Sequence, residues 1–160
     1  MAHEFYVAFE FTKQGKSKGE SPRDAHKEKI AGLSFEYEVI APRDVATGAA
    51  SGKRQHKPVR FTKEWGAASP QLFQAVATNE VIKSVLFEFI QTNANGEEVV
   101  YHTIKLTNAT VSRLRQYTEE SAKHEESADT HELEEVELTF QKIDMENKLG
   151  KTSATDDWHK

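Results

Sequence analysis

The chain has 160 residues, 37% hydrophobic and 29% charged, with a net charge of −5 and no cysteine. A single domain of this length buries roughly 70% of its unfolded surface, and its interspersed charges give no electrostatic case for nucleic acid. The missing cysteines exclude disulfide staples and thiolate metal sites, and no apolar run reaches the roughly 18 residues that would span a membrane as a helix.

The dominant period is two. Near the start, Phe5, Val7, Phe9 and Phe11 alternate with Glu4, Tyr6, Ala8 and Glu10, the pattern of a half-buried antiparallel strand. This alternation lacks the continuous apolar core of a secretory signal, so none is expected. A lysine-rich turn follows at 13–18. Its Gly15-Lys16-Ser17 triplet has the ending of a phosphate-binding loop, but Glu10 stands where that motif needs glycine, and Pro22 stands where it needs a helix. Ser21, Asp24 and His26 include the residue types of a hydrolytic triad, yet no nucleophile elbow surrounds the serine. A polar turn leading into the next strand is the reading they support.

Residues 31–40 alternate again, with Leu33, Phe35, Tyr37 and Val39 predicted on one face and Ser34, Glu36 and Glu38 on the other. An extended loop is expected over about 41–57. It carries Gly48 and Gly52 and a basic cluster of Lys53, Arg54, His56, Lys57 and, just beyond it, Arg60. Its Gly48–Arg54 stretch also fails as a phosphate loop, because one spacer is missing and arginine replaces the metal-binding hydroxyl. A short strand at 58–63 comes next. A helix over about 70–79 is then signalled by Ser69 as N-cap and Pro70 in the first turn, with Leu72, Phe73, Val76 and Ala77 at helical spacing.

Residues 81–91 are apolar on both faces, which predicts a strand covered on both sides. Asn93-Ala94-Asn95-Gly96 signals a hairpin, with a return strand over 98–106 and a further strand over 109–117. A polar loop is expected over 118–131. The last strand places Val136, Leu138 and Phe140 opposite Glu137, Thr139 and Gln141. The chain from Asp144 reads as polar, with a flexible tail at about 150–160.

Metal and stacking chemistry find little support. His124 and His131 flank Glu125, Glu126 and Asp129, but seven-residue spacing in a loop is unlike a zinc site on a rigid element. His102, on an apolar strand face, reads as a packed core or interface residue. Trp65 and Trp158 are too isolated to form a base-stacking platform. Many short strands, turn punctuation and one helix predict a mainly β chain, a closed or nearly closed antiparallel barrel in one domain over 1–160.

Several segments carry a family resemblance. The block at 47–80, TGAASGKRQHKPVRFTKEWGAASPQLFQAVATNE, resembles the haemolysin-coregulated protein (Hcp) family, tube subunits of bacterial type VI secretion systems. Gly19-Glu20-Ser21 with Asp24 and His26, the strand at 31–40, and residues 96–106, 108–112 and 135–143 are similar to further family segments in the same order. The resemblance spans about 17–157. Two departures are the lysine-rich 13–18 stretch and a central loop with fewer glycines than some members have.

The resemblance implies a small antiparallel β-barrel of two packed sheets with one α-helix at the side. It implies a structural role rather than catalysis, without cofactor or metal: hexameric rings that stack into the inner tube of the secretion machine. The implied partners are a VgrG-type spike, a contractile sheath and effector proteins in the ring lumen, with no nucleic acid and no membrane insertion. Assembly would be cytoplasmic, followed by secretion with the tube and without a signal peptide. Subunit or ring-stacking contacts are expected from the loop residues Arg43, Asp44, Thr47, Gly48, Gly52, Lys53, Arg54, His56 and Lys57, facing acidic surface such as 119–126 or 132–137. The competing readings are the tail-tube protein of a phage or phage-like contractile particle, and a small β-barrel enzyme or toxin.

Overall fold

The structure is a computed structural model that describes residues 4–19, 29–119 and 131–158. Ser21, Asp24, His26, His124, Glu125, Glu126 and Asp129 lie outside the described residues, as does most of the polar loop at 118–131.

The period-two segments become strands. They are β1 (Glu4–Phe11), β2 (Gly15–Lys16), β3 (Ile30–Gly32), β4 (Ser34–Glu36), β5 (Val39–Ile40), β6 (Gln55–His56) and β7 (Val59–Glu64). The helix α1 (Ser69–Thr78) separates these from β8 (Ile82–Thr92), β9 (Glu98–Glu119), β10 (His131–Thr139), β11 (Lys142–Asn147) and β12 (Thr152–Asp157). Pairing is antiparallel throughout and runs β2-β1-β8-β9-β10-β7-β4, with β11 and then β12 joined to β9. The chain is therefore mainly β with one helix, as expected.

The core lies between the inward faces. Phe5, Val7, Phe9 and Phe11 of β1 meet Val59 and Phe61 of β7, and Val136 and Leu138 of β10. Phe87 is the hub, edge-on to Phe35 at 5.0 Å and to Phe61 at 5.5 Å between ring centres. Such edge-to-face pairs each add about 0.5–1.5 kcal/mol beyond the area they bury.

Residues 31–40 do not form one strand. Ile30 is fully buried, whereas Leu33 is 56% and Val39 48% exposed. The chain turns a corner: β3 bonds β1, then the Leu33 N–H donates to the Thr62 carbonyl and β4 bonds β7. Alternation is lost because the partner strand changes. Gly32 sits at the corner beneath the Phe5 ring, where an added Cβ would lie 2.0 Å from a ring carbon. The predicted barrel is consequently not closed by one continuous ladder. The segment 30–36 spans the seam, half of it bonded to each side.

The strands expected at 98–106 and 109–117 are one strand of 22 residues, β9. Its first part pairs β8 and β11, and its second part pairs β10. Asn108 takes φ 51° between them. There the core-facing series Ile104, Leu106 changes phase to Ala109, Val111. The polar residues after Asp144 also form strands, with β11 and β12 pairing from Lys142↔Asp157 to Asn147↔Thr152. Polar faces hid them from a hydrophobic pattern.

The helix starts with a correction. Its N-cap is Ala68, without a side-chain cap, and Ser69 is its first residue. Leu72 and Ala75 are buried, but Phe73 is 55% exposed and Ala77 is exposed. The buried stripe is thus rotated from the predicted one. Asn79 ends the helix in the left-handed region at φ 55°, a role usually given to glycine.

What fixes the start of α1 is a buried charge network. On the inward faces, Lys63 of β7 lies opposite Glu134 of β10. Both side chains are wholly buried, with Lys63 Nζ 3.6 Å from Glu134 Oε1. The Ser69 hydroxyl donates to Glu134 Oε1 and accepts the Gly66 N–H. Lys63 Nζ also donates to the Glu64 carbonyl at 2.7 Å. Ser69 therefore serves the sheet rather than its own helix.

Candidate docking loop and its anchor

The nine loop residues divide into three groups. The first builds the tip. The Asp44 carboxylate accepts the Ala46 and Thr47 N–H groups, the Gly48 N–H donates to the Asp44 carbonyl at 2.7 Å, and Thr47 Oγ1 accepts the Ala49 N–H. Gly48 takes φ 74°, a conformation that favours glycine. Arg43 and Ala50 bridge across the loop below this turn. Val45 stands fully exposed at the tip.

The second group is the outer surface. Arg43, Gly52, Lys53 and Lys57 are exposed, and the three cations form no ion pair among the described residues. A side chain at Gly52 would meet nothing within 4 Å, so steric space does not require glycine there.

The third group turns inward. β5 and β6 form their own two-stranded sheet, separate from the main one. Arg54 grips Asp156 of β12 with two bonds, Nε to Oδ2 at 2.5 Å and Nη2 to Oδ1 at 2.7 Å. His56 Nε2 lies 2.7 Å from the same Oδ2, and its Nδ1 lies 2.7 Å from the Tyr37 hydroxyl. A carboxylate only accepts, so Nε2 carries a proton, and Nδ1 shares a hydrogen bond with the Tyr37 hydroxyl. The His56 ring packs between Tyr37, Phe140 and Trp158, with centroid separations of 6.1, 5.4 and 5.2 Å.

The electrostatics follow from this convergence. The Arg54 hydrogen bonds, joined by His56, hold the Asp156 carboxyl below its ordinary range, and the same contact raises Arg54. Burial raises Tyr37, and the Asp156 charge adds to that. The anchor residues Tyr37, Phe140, Asp156 and Trp158 were not expected. Asp156 lies about a hundred residues from Arg54 in sequence, and no local pattern links them.

The acidic segments take up contacts of their own within the chain. Glu134 is buried, and Glu135 and Glu137 both pair with Arg113 at 2.8 Å. Arg60 reaches Glu135 and Glu36 rather than joining the basic loop surface. Most of 119–126 lies outside the described residues. Within 132–137, Glu132 remains exposed. Elsewhere, His102 is half-buried near Phe89, and the Ser17 hydroxyl accepts the Phe9 N–H, a structural role inside the first hairpin. Among the described residues no cluster of histidine and carboxylate side chains could hold a metal ion, and no helix is long and apolar enough to cross a membrane.

Comparison with known proteins agrees with this architecture. Residues 11–146 match the family described as type VI secretion system effector, Hcp. A relative from Pseudomonas aeruginosa, the major exported protein, is 32% identical over 99% of this chain and 96% of its own length. Among solved structures, an Hcp protein superposes with a TM-score of 0.89 at 25% identity, covering 98% of this chain and all of the other. Hcp1 from E. coli gives 0.86 at 29% identity, covering 98% of this chain and 99% of its own. The secreted protein Hcp3 from Pseudomonas aeruginosa gives 0.79 at 29% identity with the same coverage. With sequence and fold matched along nearly its whole length, this chain belongs to the Hcp family of type VI secretion proteins.

Proposed function

We propose that this chain is a structural subunit of the inner tube of a type VI secretion system. Six copies close into a ring, rings stack into a hollow tube, and the loop at 41–57 reaches the next ring. Identical subunits meeting through heterologous contacts form a ring when the rotation closes. Effector proteins ride in the lumen, a VgrG-type spike caps the tube and a contractile sheath surrounds it. Export accompanies ejection of the tube. This role asks no side chain to perform chemistry.

The observation that supports it most is a whole-chain match to Hcp structures, combined with a loop whose tip and outer cations are exposed. Exposed loops held by a rigid scaffold are where binding concentrates. The test is the light-scattering mass of the purified protein with negative-stain images of the same peak. A ring-shaped particle of six times the 18.1 kDa chain is expected. The double variant Lys53→Glu, Lys57→Glu should then abolish end-to-end stacking while leaving single rings. A persistent monomer would defeat the tube reading, and unchanged stacking would remove these lysines from it.

A further inference from the structure

We propose that Asp156 is the positioning residue of the extended loop: one carboxylate on β12 clamps both Arg54 and His56 and so sets where the loop stands. The inference rests on the loop being a ring-to-ring contact, but its own test does not depend on stacking.

The small β5–β6 sheet has no ladder to the main sheet. At its base the Lys57 N–H donates to the Glu38 carbonyl, a bond within the loop's own stem. Its attachment to the C-terminal hairpin is made by side chains that converge on β12. Asp156 Oδ2 receives Arg54 Nε and His56 Nε2 together, while Oδ1 receives Arg54 Nη2. The Arg54 Nη2 also reaches the Asp157 carbonyl at 3.4 Å. Bidentate arginine–carboxylate contact fixes direction as well as distance. The His56 side chain is almost wholly buried, although the loop it belongs to is exposed.

The clamp is itself braced. The Trp158 indole N–H donates to the Phe140 carbonyl, which sets that ring against His56. Gln141 Nε2 reaches Asp157 Oδ2 at 3.4 Å, and Gln141 Oε1 accepts from Asn108 at 3.0 Å. A hydrogen-bonded path thus runs from the loop base through β12 to the kink in β9.

The test is amide hydrogen exchange of the whole protein with Asp156→Asn. The amides of Ser51 and Lys57, which bond within the loop, should exchange about tenfold faster or more, as local opening without global unfolding does. Amides of β8 should be unchanged. The swap Arg54→Asp with Asp156→Arg re-forms the ion pair but sets a cation against His56 Nε2, so it should recover part of the slow exchange, which a mere loss of folding would not allow. Wild-type exchange at Ser51 and Lys57 in Asp156→Asn would overturn the clamp. Stacking is scored separately: Asp156→Asn should shorten tubes without opening rings. If the loop loosens and tubes keep their length, the clamp stands and the contact role of the loop falls.

Discussion

Two cation–carboxylate contacts tie peripheral elements to the sheets, and their surroundings make them different devices. Lys63 and Glu134 hold the start of α1 in the complete absence of solvent. Arg54 and Asp156 hold the loop base with roughly a third of each side chain exposed. Burial removes water from both partners, so the first contact is unforgiving of any single change: what remains is an unpaired charge in the interior. At the second, water replaces a lost partner at little global expense. A cation–carboxylate contact therefore fixes a fold in one place and adjusts a surface in the other.

The largest test of that contrast is Glu134→Ala. It leaves the buried Lys63 ammonium without its carboxylate and the Ser69 hydroxyl without its acceptor, and should lower stability by about 3–5 kcal/mol in denaturant titration. A loss below about 1 kcal/mol would mean that water or rearrangement rescues Lys63. The next test replaces both charges with Lys63→Met and Glu134→Leu. Removing the pair together should be neutral or stabilising by up to about 4 kcal/mol. A double variant as unstable as Glu134→Ala would show that the network does more than neutralise itself.

The smallest effect is expected at the exposed clamp. Asp156 is held below its ordinary value of 3.8, chiefly by Arg54. A depressed carboxyl contributes stability above its unfolded pKa and loses it as pH falls through the folded one. The loop should therefore stay clamped from neutral pH to about pH 4 and release below that. Fluorescence of Trp158 in a Trp65→Phe background should report the release, with little change in the denaturation midpoint at neutral pH. Glu80 shares the sign. Burial pushes it up, but the Lys13 and Gln14 donors together outweigh that and bring it below its ordinary range, so the first hairpin's tie to the segment just after α1 also weakens in acid.

The legible parts of the fold are those where one element keeps one inward face along its length. β1 faces a single interior, and its Phe5, Val7, Phe9 and Phe11 repeat reads directly. The turn at Asn93–Gly96 is local chemistry: Asn93 Oδ1 accepts the Asn95 and Glu97 N–H groups. Residues 30–36 change partners at Gly32, so their alternation predicts a face for Leu33 that it does not have. β9 changes phase at Asn108, which made one strand read as two. At the site, glycine, proline and charge mark the loop plainly. Its anchor was illegible because Asp156 gains meaning only when topology brings β12 beside β6. Lys63 and Glu134 carried a readable signal, since each falls on the inward parity of its strand, with Phe61 and with Val136. Grouping Glu134 with the surface acids of 132–137 concealed it.

The shared strand β9 has a consequence for how sequences of this kind can drift in length. It serves β8 and β11 with one stretch and β10 with another, and the inward parity changes between them, from Ile104 and Leu106 to Ala109 and Val111. Deleting or inserting one residue between Leu106 and Val111 would turn the inward set Ile104, Leu106 outward while leaving Val111 in place, because side chains in a strand change face at every step. Neither sheet could compensate without dragging the other out of register. Length variation among relatives should therefore collect in the loop at 41–54 and in the hairpin at 93–96 and spare the part of β9 around Asn108.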